Sequence, residues 1–308
     1  MTEVAIPRSC ILFLIVCVSL VGGCARLPDI GKTSLKPKTL TELQGYLLSH
    51  AADLQEFRLR GPFEVTTQTN HEIRLSATDR IDTDLFLSTH AEKAPLVIFL
   101  HGQDSSKEDH TYQAMHLASW GMHCLALQLP NNGPWVNNGK TLANIVNFIY
   151  RSPELVASRI DVNKIILVGH SYGGASVAVA LAERAPAVGG VLLDPAAISR
   201  DLPAFLGQIN KPVILLGADE QVSSARNRDY FYRFIPGHIA EVSIKNATHE
   251  DAQFPSRFAH STEELQITFV SALTSAAFSL SVTGRLDYAW ASFSDGLENG
   301  KFFNARKK

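Results

Sequence analysis

The chain has 308 residues, 45% of them hydrophobic and 19% charged, with a formal net charge of −2. That balance excludes a disordered or collagen-like chain, and no long basic run is present to capture a polyanion, so nucleic acid is not an expected partner. The length permits one large domain or two small ones.

In chain order, Arg8 precedes an apolar run from Cys10 to Val21, followed by Gly22, Gly23 and Cys24. A run of about a dozen apolar residues is short for a bilayer span and matches the apolar region of a secretory signal. Val21-Gly22-Gly23-Cys24 resembles a bacterial lipobox. That resemblance implies removal of residues 1–23 and lipidation of Cys24, with palmitate among its acyl chains. The expected location is the bacterial cell envelope, lipid-anchored to a membrane, with a secreted or periplasmic protein as the alternative. Cys10 and Cys17 fall in the signal, which leaves Cys124 as the one cysteine without an assigned fate and no internal disulfide. Its neighbours, Met122 to Gln128, read as a buried strand, where cysteine packs as a small apolar group.

Residues 24–60 read as a tether with Pro28, Gly31 and Pro37, then a short helical lead-in over about 40–56. From residue 61, the stretches 63–67, 72–76 and 84–88 alternate apolar with polar, as half-exposed strands do. Almost wholly apolar runs follow at 95–100, 124–127, 165–168, 191–193 and 213–216, and a last strand begins at Ile239. Continuous apolar strands indicate parallel neighbours covered on both faces. Helical stretches are predicted at 106–120, 140–157, 172–185 and 223–234. The first opens on Ser106 and Asp109 at capping-box spacing. Leu265, Phe269, Leu273, Ala276 and Leu280 form one further helical face. The pattern predicts an α/β fold: a mainly parallel sheet of about eight strands, an antiparallel N-terminal edge and helices on both faces. A single domain over 61–282 accommodates it. The extension 283–308, with Tyr288, Trp290, Phe293, Phe302 and Phe303 before Arg306-Lys-Lys308, is expected to pack on the body.

The chemistry concentrates at Gly169-His-Ser171-Tyr-Gly173. A bare G-x-S-x-G arises by chance in a chain this long with odds on the order of one in ten, taking Gly and Ser at roughly 7% each. The context is more specific. An apolar strand runs into the motif and Ala175 to Ala182 runs out as a helix, the strand–turn–helix that exposes a nucleophilic serine. A serine hydroxyl needs a base. Of eleven histidines, His249 alone sits in a loop just past the last strand. The histidine in turn needs a carboxylate to fix its tautomer. Asp219, directly after the strand at 213–216, is the preferred acid. Asp194 at the end of the preceding strand is the alternative, and the adjacent Glu220 a third. The oxyanion donors are expected to be the backbone N–H groups of Tyr172 and Gln103. His101 and His170 read as packed rather than catalytic. Asp104, Glu108, Asp109 and His110 read as a solvated loop and an acidic first helical turn, so no metal is expected.

Leu100-His-Gly-Gln103, Gly169 to Gly173, Gly217-Ala-Asp219 and Ala247-Thr-His249 together make the chain resemble the α/β-hydrolase superfamily over about residues 61–282. The nearest-looking branch is the bacterial esterase and cutinase group, with dienelactone-hydrolase-like and chlorophyllase-like proteins close by. The resemblance implies a serine esterase that needs no cofactor and acts on a small or surface-presented acyl ester. Amidase, peptidase or acyltransferase chemistry, and a non-catalytic lipid-anchored binding protein, are the alternatives. The short connection after Asp194 leaves no room for a large cap domain. The stretch 129–140 is the expected cleft wall, with Trp135 as a substrate contact.

Overall fold

The computed structural model describes residues 30–50, 54–90, 92–219, 226–256 and 262–308. Cys24, the expected signal over residues 1–23 and Glu220 lie outside these described residues. The strands are β1 (Val65–Arg74), β2 (Arg80–Ser88), β3 (Ala94–Leu100), β4 (His123–Leu127), β5 (Ile160–His170), β6 (Gly189–Leu193), β7 (Val213–Gly217), β8 (Ile239–Ile244) and β9 (Phe302–Lys307). The helices are α1 (Leu40–Ser49), α2 (Thr111–Ser119), α3 (Trp135–Arg151), α4 (Tyr172–Ala182), α5 (Leu202–Leu206), α6 (Arg226–Phe234), α7 (Glu263–Phe278) and α8 (Asp287–Glu298).

The described strands form one sheet in the order β1-β2-β4-β3-β5-β6-β7-β8-β9. Strands β3 to β8 pair in parallel, whereas β1 with β2, β2 with β4, and β8 with β9 are antiparallel. The apolar runs explain the arrangement, because successive side chains of a strand point to opposite faces. Leu96, Ile98 and Leu100 of β3 join one core cluster with Leu142 and Val146 of α3 and Val177 of α4. Val97 and Phe99 join the other, with Leu117 of α2 and Phe269 and Leu273 of α7. Each face is thus covered by helices, as a parallel sheet requires. The helix Glu263–Thr283 is long and apolar enough to cross a bilayer, but most of it is buried inside the protein, Phe269 and Leu273 in the second cluster and Ile267 and Val270 against Tyr112 and Phe254.

Three local differences from the sequence reading have physical causes. The stretches 63–67 and 72–76 are one strand, β1, because both pair with β2 across a register shift between Gln68 and His71. The polar break sits in that shift, where Asn70 takes φ 53° and its N–H donates to Asp84 Oδ1 at 2.9 Å. Helix α3 starts at Trp135 rather than 140, since Trp135, Asn138, Leu142, Ile145, Val146 and Ile149 give one continuous buried stripe. The C-terminal extension supplies α8 and an antiparallel edge strand. There Arg306 pairs with Glu241 of β8 at 2.7 Å, and Phe302 is buried against Phe293.

Candidate active site

Strand β5 ends at His170 and α4 begins at Tyr172, which leaves Ser171 alone on the turn with φ 53° and ψ −125°. A non-glycine residue in that region stores strain and persists only when its surroundings fix it. Here Ser171 N–H donates to Leu193 O at 3.0 Å, while Ser171 O accepts from Gly174 at 3.0 Å and Ala196 at 3.1 Å. The motif glycines are required by close approach. A Cβ on Gly173 would lie 2.3 Å from His101 O, and one on Gly169 would lie 2.4 Å from Gly173 O.

The loop after β3 lies directly over this turn, as a Cβ on Gly102 would come within 2.9 Å of Ser171 Cβ. Gln103 is the next residue, so its backbone is carried beside the serine. Tyr172 occupies the first position of α4, where a backbone N–H has no acceptor within the helix. Both expected oxyanion donors therefore flank Ser171. His101 anchors the loop, its ring nitrogens 2.9 Å from Gly102 O and 3.0 Å from Leu129 O. Trp135 begins α3 and packs on the Tyr172 ring at 5.4 Å, which puts it beside the turn.

The carboxylate that meets His249 is Asp194, the alternative, and not Asp219, the preferred expectation. His249 Nδ1 lies 2.6 Å from Asp194 Oδ2. Asp219 instead accepts the Asn246 N–H on Oδ2 at 2.7 Å, while its own N–H donates to Ala247 O at 2.9 Å. It braces the loop that leads to His249 without reaching the imidazole. The sheet order explains this. Strand β6 is the immediate neighbour of β5 and β7 is one strand further away, and each strand adds about 4.8 Å. An imidazole that has come back from β8 toward Ser171 stands over the end of β6, where Asp194 is.

Asp194 is held in place by its own N–H to Leu216 O at 2.8 Å and by the Ala218 N–H to its Oδ1 at 3.0 Å. Arg228 of α6, which the sequence reading did not single out, is buried nearby with Nε 3.7 Å from Asp194 Oδ1. Its Nη1 donates to Ala218 O and, at 2.6 Å, to Ser243 Oγ. Gly217 makes this possible, since a Cβ there would fall 1.8 Å from Arg228 Nη1.

Burial alone lowers the proton affinity of His249. The Asp194 hydrogen bond and charge outweigh it, Glu250 adds to them, and the result lies above the ordinary histidine value despite Arg228. The dense acidic loop is already occupied by other contacts. Asp109 accepts from Ser105 Oγ at 2.6 Å and from the Ser106 N–H at 3.0 Å. Glu108 pairs with Lys107 at 2.8 Å, and His110 Nδ1 lies 2.6 Å from Gln113 Oε1. Among the described residues no group of His, Cys, Asp and Glu is arranged to hold a metal.

A family model described as the alpha/beta hydrolase family matches residues 97–295. The chain belongs to that family, which supports a hydrolase. No curated protein matches the chain.

Proposed function

We propose that the protein is a serine hydrolase that cleaves carboxylic esters through an acyl-enzyme, with Ser171, His249 and Asp194 as its catalytic groups. One observation carries the reading: a histidine bonded at 2.6 Å to a buried carboxylate, its ring packed at 4.4 Å on that of His170, the residue before a strained serine between strand and helix. The Asp194 bond on Nδ1 leaves Nε2 as the nitrogen that accepts a proton. Ser171 Oγ attacks the ester carbonyl as His249 Nε2 takes its proton. The Tyr172 and Gln103 N–H groups hold the oxyanion. His249 then returns the proton to the leaving alkoxide, and a water deprotonated by His249 releases the acid from Ser171.

The link from β6 to β7 carries only the five-residue helix α5, which favours short or surface-presented acyl groups over an enclosed substrate. Trp135 beside Tyr172 is the proposed wall of that cleft. A lipid on Cys24 holds the enzyme to a membrane of the cell envelope in this reading, supported by Val21-Gly22-Gly23-Cys24.

Purified protein is expected to hydrolyse p-nitrophenyl acetate and butyrate and to take a fluorophosphonate on Ser171. Ser171→Ala should lose both while keeping its unfolding midpoint. Retention of esterase activity by Ser171→Ala would sink the proposal. For the anchor, palmitate labelling in bacteria should be present in the natural chain and absent from Cys24→Ala.

A further inference from the structure

His170 stands between Gly169 and Ser171 with a side chain that is buried. Its Nε2 is 3.0 Å from the backbone carbonyl of His249, and the two rings pack at 4.4 Å with a 40° tilt. A carbonyl only accepts, so the single N–H of a neutral imidazole is on Nε2 and Nδ1 carries the lone pair. Nδ1 is buried without a partner. A Cβ on Gly102 would lie 3.4 Å from it, so the same ring touches both the base and the loop that leads to Gln103.

The turn that carries His249 is held at its other end by a second buried side chain. Gln113 Nε2 donates to Ala252 O at 2.9 Å, and its amide is oriented by His110 at 2.6 Å. The first and last carbonyls of the turn His249–Ala252 are therefore tied to two different elements, the end of β5 and α2. The tie from β5 is the shorter in chain terms, because it starts one residue from the nucleophile.

We propose that His170 is a positioning residue: its Nε2–H, donated to the carbonyl of His249, sets where the base stands relative to Ser171. The proposal rests on the reading of His249 as the base. His170 suits the task because it stays neutral. Burial disfavours its charged form most, and the neighbouring His249, His110 and His101 disfavour it further, despite the His249 carbonyl. The charged groups acting on His249 itself are Asp194, Glu250 and Arg228. A neutral ring beside them adds no repulsion to the imidazolium that forms during acyl transfer, and the donor persists while His249 titrates.

The test compares His170→Phe, which keeps a ring and loses the donor, with His170→Gln, which keeps a donor. Both are read as kcat and KM against pH on p-nitrophenyl butyrate, and as the rate of fluorophosphonate labelling. His170→Phe is expected to lose on the order of 10- to 100-fold in kcat with KM within about twofold, the scale of a misplaced reacting group. His170→Gln should recover most of that loss. Wild-type kcat and pH profile in folded His170→Phe would overturn the proposal, as would a His170→Gln no faster than His170→Phe. An unmodified protein that takes no fluorophosphonate on Ser171 would instead defeat the reading of the base. Imidazole ¹⁵N spectra of the unmodified chain test the same point without a variant. His170 should remain the neutral Nε2–H tautomer from pH 5 to 9 in those spectra. A proton on Nδ1, or titration near 6.5, would overturn it.

Discussion

At the scale of single residues, His249 is pulled two ways. Burial and Arg228 lower its proton affinity, whereas Asp194 and Glu250 raise it, and the carboxylates prevail. As the proposed base it acts only when neutral, so kcat/KM should rise with pH through a midpoint above 6.5. Asp194→Asn removes the largest raising influence and leaves burial and Arg228. Its acid limb should therefore move to lower pH while the plateau falls about 10²- to 10⁴-fold. Asp219→Asn still offers an oxygen to the Asn246 N–H and should stay within about threefold of the natural chain. A pH–rate series on one soluble ester measures all three. Equal losses in the two variants would count against Asp194 as the acid. In the sequence both aspartates follow a buried apolar strand, and the chain order favours Asp219. The 2.6 Å contact selects Asp194 instead, and it depends on which strand is neighbour to which.

Gly217 shows the same limit at the scale of elements. In Gly217-Ala-Asp219 it reads as part of a signature around the acid, yet its place in the structure is decided by Arg228 of α6. The guanidinium crosses the end of β7 to reach Ala218 O and Ser243 Oγ. It ties α6, β7 and β8 together beneath the Asp194 carboxylate. A methyl group there displaces a buried charged head from its acceptors, so Gly217→Ala should lower unfolding free energy by about 1–3 kcal/mol, the usual cost of overpacking. Urea unfolding followed by tryptophan fluorescence gives the measurement, and an unchanged midpoint would refute the argument. The capping box at Ser106 and Asp109 was legible in the sequence because its partners are three residues apart. Arg228 was not, because nothing local sets a buried arginine apart from an exposed one on a helix.

For the molecule as a whole, buried histidines tie stability to pH. His110, His116 and His123 are held to about 4, in each case chiefly by burial. The unfolded chain binds protons on these side chains near 6.5, so between about 4 and 6.5 it holds more protons than the folded one. Unfolding free energy must therefore rise with pH across that window and be lost as pH falls through it. A full shift of this size is worth about 3 kcal/mol per histidine as an upper figure. Urea midpoints should fall steeply from pH 7 to 4.5, and His116→Gln should flatten that slope. A midpoint constant over the window would contradict it. The parallel sheet and its two helical layers followed from the sequence alone, because continuous apolar strands alternating with helices have few other ways to bury both faces. So did the turn at Ser171, where strand, glycines and helix are contiguous in the chain. The choice of Asp194, the place of Arg228 and the link from His170 to His249 were decided only by tertiary structure. Each joins residues on different elements, and their distances are fixed by the order of the strands, which no local pattern encodes.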